Sequence, residues 1–141
     1  MLRSILVAGG SRVYRKTLRL LLEKRCGGAI CGEAGDGADA IEQAMQLRPD
    51  LIVLDFAMPG LNGLEAAGRL KQLQPGVPIL MLTSFGDGFL AELAYKAGVA
   101  AVVSKADARA LENCVRVLLK YGSSARSGTS SPETIEANST R

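Results

Sequence analysis

The sequence predicts an α/β fold: a doubly wound, five-stranded parallel sheet flanked by five helices. Three observations carry this expectation. Short apolar runs recur along the chain and end in Gly, Asp, Thr or Ser. A segment with apolar residues at helical spacing follows each of them. The strand–helix alternation repeats five times before residue 122, which calls for right-handed crossovers and a parallel sheet covered on both faces.

Taken in order, Ile5-Leu6-Val7-Ala8 is the first strand and ends at Gly9-Gly10-Ser11. Tyr14, Leu18, Leu21 and Leu22 mark a helix from about 12 to 25, stopped by Gly27-Gly28. Ala29–Glu33 is weaker and mixed, as suits an edge strand. Asp36-Gly37 makes a turn, and Ile41, Ala44 and Met45 mark a second helix ending before Pro49. Leu51-Ile-Val-Leu-Asp55 is a continuous apolar run into a carboxylate, the signature of a strand buried on both faces. Leu64, Ala67 and Leu70 form a third helix, ended by Pro75-Gly76. Ile79–Leu82 is a fourth buried strand ending at Thr83-Ser84. Leu90, Leu93, Ala94 and Ala97 give a fourth helix closed by Gly98, and Val99–Val103 a fifth strand ending at Ser104-Lys105. Asp107 is an N-cap for the last helix, whose stripe is Leu111, Cys114, Val115, Leu118 and Leu119. Five strands in this length suit the flavodoxin-like order 2-1-3-4-5. One domain over 1–121 is expected, with 122–141 a disordered Ser/Thr/Gly-rich tail or linker.

Composition narrows the function classes. The chain has 141 residues, 48% hydrophobic and 22% charged, with a net charge of +3, ordinary values for a soluble domain. Aromatics make up 4% with no Trp, which argues against a stacking platform for single-stranded nucleic acid. No apolar run reaches a membrane span and no signal-peptide pattern opens the chain, so a cytoplasmic location is expected. Cys26, Cys31 and Cys114 are odd in number and not spaced as a metal site; reduced thiols with packing roles are expected. The absence of His excludes His-based acid/base work, Ser-His-Asp triads and His-ligated metals within this chain.

In a parallel sheet all carboxyl ends share one edge. Gly9-Gly10, Asp55, Thr83 and Lys105 then gather at the switch point. A carboxylate, a hydroxyl and an ammonium together suit a phosphoryl group: the carboxylate attacks it and the others hold its oxygens. Taken singly, each has a plainer role. Asp55 could cap a turn, Thr83 bond the backbone, and Lys105 be solvated.

Leu54-Asp55-Phe-Ala-Met58-Pro59-Gly-Leu-Asn62-Gly63, Pro78-Ile-Leu-Met-Leu-Thr83-Ser84, Lys96-Ala97-Gly98 and Ser104-Lys105 together resemble the receiver domain of two-component response regulators. The resemblance is CheY-like in fold and nearest to receivers of the NarL/LuxR type. It implies a signalling module rather than an enzyme. By this resemblance Asp55 is the phosphoacceptor, Thr83 the switch hydroxyl, Lys105 the phosphoryl-binding lysine and the Ala57 backbone carbonyl a Mg²⁺ ligand beside Asp55. It also implies a histidine kinase or phosphotransfer protein as donor, a basic first helix able to dock that donor, and dimerisation or output through the 87–121 face, with Ala91, Tyr95 and Val102 on it.

Two departures qualify the resemblance. The family's acidic pair after strand one is replaced by Gly9 and Gly10. Magnesium prefers hard carboxylate oxygens, so its binding is expected to be weak or absent and phosphorylation of Asp55 slow or absent. The usual site is two units negative, whereas here Asp55 and Lys105 balance and can pair directly. The switch aromatic three residues before the lysine is Val102. Ala57 and Phe85 flank the site and make it more apolar. Two functions follow: a phosphorelay receiver with an impaired site, or a phosphorylation-independent pseudo-receiver that acts by protein contact. A dinucleotide fingerprint around Gly9-Gly10 lacks its further glycines; anion binding there is a softer alternative. Arg12, Arg15, Lys16, Arg19, Lys24 and Arg25 are read as a solvated helix face. No helix-turn-helix fits after residue 121, so no direct nucleic-acid binding by this chain is expected; a DNA-binding domain could follow in a longer protein.

Overall fold

The computed structural model describes residues 3–84 and 88–127. Strand and helix alternate as β1 Arg3–Ala8, α1 Arg12–Arg25, β2 Gly28–Ala34, α2 Gly37–Leu47, β3 Leu51–Asp55, α3 Gly63–Leu73, β4 Ile79–Thr83, α4 Gly88–Lys96, β5 Ala101–Ser104 and α5 Ala108–Ser127. The five strands form one parallel sheet in the order β2-β1-β3-β4-β5.

Side chains alternate across a pleated strand, and here both rows are apolar. Ile5, Val7, Leu51, Val53, Leu80 and Leu82 face α1 and α5, where they meet Leu18, Leu22, Leu111, Val115 and Leu118. Leu6, Ala8, Ile52, Leu54, Ile79 and Met81 face the other way, against α2, α3 and α4. That double burial is why β3 and β4 read as unbroken apolar runs. The helices of the second layer bury mostly small side chains, Ala40, Ala44, Ala66, Ala67 and Ala94, with Leu70.

Local chemistry sets the helix ends. Ser11, Asp36 and Asn62 each accept a backbone amide as N-caps, and Asn62 forms a reciprocal capping box with Glu65. Asp107 accepts the Ala110 amide at 3.0 Å, the cap expected for α5. Gly98 adopts φ +100 after α4, as a left-handed helix terminus requires.

The structure corrects some details. Met45 is 42% exposed rather than part of the α2 stripe; Ala40 and Ala44 form the buried face. β5 begins at Ala101, because the Val99 amide still bonds the Ala94 carbonyl. β2 lies at the sheet edge and skips Cys31 in its register with β1, an irregularity that suits an edge strand. α5 extends to Ser127, past the change in composition at Gly122; residues 128–141 lie outside the described residues. The three cysteines are free, and among the described residues no helix is long and apolar enough to cross a membrane.

Candidate functional site

Asp55 is the last residue of β3 and is 2% exposed. It continues the row of Leu51 and Val53, so its side chain emerges on the α1/α5 side of the sheet. β1 runs alongside with Val7 opposite Val53. Gly9 therefore falls beside Asp55: a Cβ placed on Gly9 would lie 3.4 Å from Asp55 Cβ and 3.5 Å from its Oδ2. A Cβ on Gly10 would lie 3.5 Å from the Ala57 carbonyl oxygen and 3.3 Å from Pro59 Cδ. Both glycines thus border the carboxylate and its following loop, and neither contributes a side chain.

Lys105 follows β5, and its amide donates to the Thr83 carbonyl at 2.9 Å. That bond holds the Lys105 backbone at the carboxyl edge. Its ammonium pairs directly with Asp55 Oδ2. The other oxygen, Oδ1, accepts the Ala57 amide at 3.0 Å. Lys105 Nζ also sits 4.6 Å from the centroid of the Tyr14 ring, within cation–π range. Burial, and after it the negative charge of Asp55, pushes the Tyr14 hydroxyl up to about 12.

Thr83 ends β4 and is 5% exposed. It stands one strand over from Asp55, whose register partner is Leu82. Val102 is on β5, and its amide donates to the Tyr95 hydroxyl at 3.3 Å. An α4 side chain thereby reaches the backbone of the edge strand at Val102. Phe85, expected to flank the site, lies outside the described residues.

The basic face of α1 is only partly the solvated surface expected. Arg15 Nε pairs with Glu33 Oε1 at 3.3 Å, and Arg19 with Glu33 Oε2 at 2.8 Å. Arg15 also donates to the Gly9 carbonyl, tying α1 to the end of β1. Gln43 completes the cluster by donating to the Glu33 carbonyl at 2.8 Å and to Asp39 at 2.9 Å. Tyr14 and Arg15 border the site in ways that residue types alone did not disclose. The available signal was their place in the first turns of the helix after β1, together with the scarcity of aromatics.

The match to a protein-family model decides the family: the response regulator receiver domain matches residues 5–116. The chain belongs to the response regulator receiver family. It is 33% identical over 105 residues to the chemotaxis protein CheY of Halobacterium salinarum, covering 74% of this chain and 86% of that protein. It is 37% identical over 103 residues to the transcriptional regulatory protein PdtaR of Mycobacterium tuberculosis, covering 73% and 49%. A LuxR-family two-component response regulator from Aurantimonas sp. SI85-9A1 superposes with a TM-score of 0.81 at 28% identity, covering 85% of this chain and 86% of that one. The chain spans between 20% and 48% of the length of several other curated relatives it matches.

Receiver domains generally bind Mg²⁺ at an acidic site, and the donor set of this receiver does not fit that ion. Among the described residues, the oxygens considered for it are those of Asp55 and the Ala57 carbonyl, and one Asp55 oxygen is already taken by an ammonium. Among the described residues no group of three or more His, Cys, Asp or Glu side chains could hold a metal. A small, hard dication favours several oxygen ligands in octahedral geometry, and two glycines supply none from their side chains.

Proposed function

We propose that this receiver is a signalling module, not an enzyme, in which Asp55 is the phosphoacceptor and acceptance of a phosphoryl group from a histidine kinase or phosphotransfer protein is slow. The Asp55–Lys105 pair carries this reading. The carboxylate lies at the sheet edge where attack on phosphorus would occur, with Lys105 placed to hold a phosphoryl oxygen and Thr83 on the neighbouring strand end. The same pair neutralises the acceptor without a metal. Before reaction the carboxylate must leave its ammonium, and no acidic pair recruits a dication to offset the incoming charge. Mg²⁺ binding is accordingly weak or absent. The receiver is read as 1–121 with a tail or linker from 122 whose first residues continue α5, and its output or self-association as running through the 87–121 face.

A second reading rests on the same contact: the pair fixes one conformation, and the module signals by binding a protein partner without phosphorylation. The absence of an aromatic at Val102 favours it, because Thr83 then has no rotating ring at that position to couple to.

Intact-protein mass after incubation with a small-molecule phosphodonor, with and without Mg²⁺, tests the choice, with Asp55→Asn as control. Slow gain of one phosphoryl group, absent in the control and little changed by Mg²⁺, supports the first reading. No gain under any condition moves the function to the second. Rapid, strongly Mg²⁺-dependent gain overturns the account of Gly9 and Gly10.

A further inference from the structure

We infer that Tyr14 is a positioning residue: its ring holds the Lys105 ammonium on the Asp55 carboxylate and keeps the acceptor covered from the α1 side. The inference deepens the reading of Asp55 as acceptor and rests on it only for its consequence, not for the contact itself.

The argument begins with Lys105. Its charge rides on a flexible four-carbon stem that has many solvated alternatives, yet its ammonium lies on Asp55 Oδ2 and under an aromatic face at once. A ring face carries negative potential and attracts a cation, more strongly where water is excluded. Water is largely excluded here, since the Asp55 side chain is 3% exposed and that of Lys105 22%. The Tyr14 ring is itself held. Its amide donates to the Ser11 hydroxyl at 3.2 Å in the N-cap of α1, its side chain packs on the α1/α5 core, and the neighbouring Arg15 is tied to the Gly9 carbonyl. The hydroxyl stays protonated through neutral pH, with its pKa pushed up to about 12, so a neutral phenol meets the cation. Where an acidic pair and its metal would organise a receiver, Tyr14 and Lys105 form an apolar–cationic cover over the acceptor.

The test is the native acetylation rate of Lys105 by limiting acetic anhydride, read by peptide mass, with exposed Lys96 and Lys16 as internal standards. Tyr14→Phe is expected to match the wild type, because the ring remains. Tyr14→Leu is expected to acetylate about fivefold faster at Lys105 alone, a factor equivalent to ~1 kcal/mol. Equal rates in Tyr14→Leu and wild type, or equal acceleration in both variants, would overturn the proposal. Should Tyr14→Leu fail to fold, the wild type decides. The Lys105 ε-methylene protons, assigned by their loss in Lys105→Arg, should resonate upfield of those of Lys96 through the ring current; no upfield displacement sinks the contact. Neither readout involves phosphoryl transfer. Failure of the acceptor reading would show in intact mass, and failure of the Tyr14 inference in acetylation and ring current.

Discussion

A Cβ on Gly9 would stand 3.5 Å from Oδ2 of Asp55, an ordinary contact that leaves room for a side chain beside the acceptor. At Gly10 the nearest atom, Pro59 Cδ at 3.3 Å, needs to give by only a few tenths of an ångström. Placing an acid at both positions is therefore sterically tolerable, and it changes the electrostatics. Two added carboxylates turn a neutral pair into three carboxylates and one ammonium, two units negative. The Gly9→Asp/Gly10→Asp variant should melt below the wild type without metal, because like charges repel at short range. It should gain stability with Mg²⁺, by ~1.4 kcal/mol for each tenfold excess over Kd. Thermal melts across a Mg²⁺ series check this; a wild type that responds as strongly as the variant would refute it.

The Asp55–Lys105 pair is asymmetric, with a buried anion and a partly solvated cation. Lys105→Met should cost about 2 kcal/mol, less than the ~3–5 kcal/mol of a fully buried pair because the ammonium is partly hydrated. Asp55→Asn should cost less, since a neutral amide can still accept the Ala57 amide. The double variant should then be more stable than the sum of the single effects, with a coupling of ~1 kcal/mol or more. Urea titration of the four proteins measures it, and strict additivity would mean that the contact contributes nothing.

Gly63 opens α3 directly beneath the acceptor. A Cβ there would meet the Asp55 carbonyl oxygen at 2.5 Å and Phe56 Cα at 2.7 Å, both backbone atoms that cannot rotate away. Gly63→Ala should therefore destabilise by about 2–3 kcal/mol and perturb the Asp55 amide resonance. Gly68, within the same helix, has nothing within 4 Å of its Cβ position. Gly68→Ala should stabilise by ~0.5–1 kcal/mol. Similar melting temperatures for the two variants would contradict the close approach of α3 to β3.

Two acids, one buried and one partly buried, make the fold sensitive to alkali. Burial, then Asp107, pushes the Cys114 thiol up from 9.0 to about 11, and Tyr14 rises from 10.0 to about 12. Each group gives up its proton more readily when unfolded. Above the unfolded pKa the unfolded chain binds fewer protons than the native one, so stability falls as pH rises. The contributions are complete below pH 9 and 10 and lost by about pH 11 and 12, respectively. Melting curves from pH 8 to 12 should show Cys114→Ala flattening the lower part of the decline and Tyr14→Phe the upper part. Slopes unchanged in both variants would remove these groups as the cause.

How much of this was legible in the sequence follows from the range over which each signal acts. Apolar periodicity and Gly, Pro, Asn and Asp punctuation act within a few residues, so the strand–helix alternation, the Asp107 cap and the Gly98 terminus could be read directly. Parallel topology then placed Asp55, Thr83 and Lys105 on one edge, because every strand of such a sheet ends on the same side. Exposure along helices was less legible: Met45 fits the apolar pattern of α2, yet the helix buries Ala40 and Ala44 and leaves Met45 outside. The basic face of α1 misled for a related reason. Glu33 is 18 residues from Arg15 and 14 from Arg19, and only the packing of α1 beside β2 brings them together. The sequence alone determined the alternation, the parity of the strands and the residues at the sheet edge, since these follow from local conformation and one topology. Tertiary structure alone decided that Tyr14 covers Lys105, that Arg15 reaches the Gly9 carbonyl and that Gly63 touches Asp55. Such contacts depend on interhelical and helix–sheet distances of a few ångströms, which no local pattern encodes.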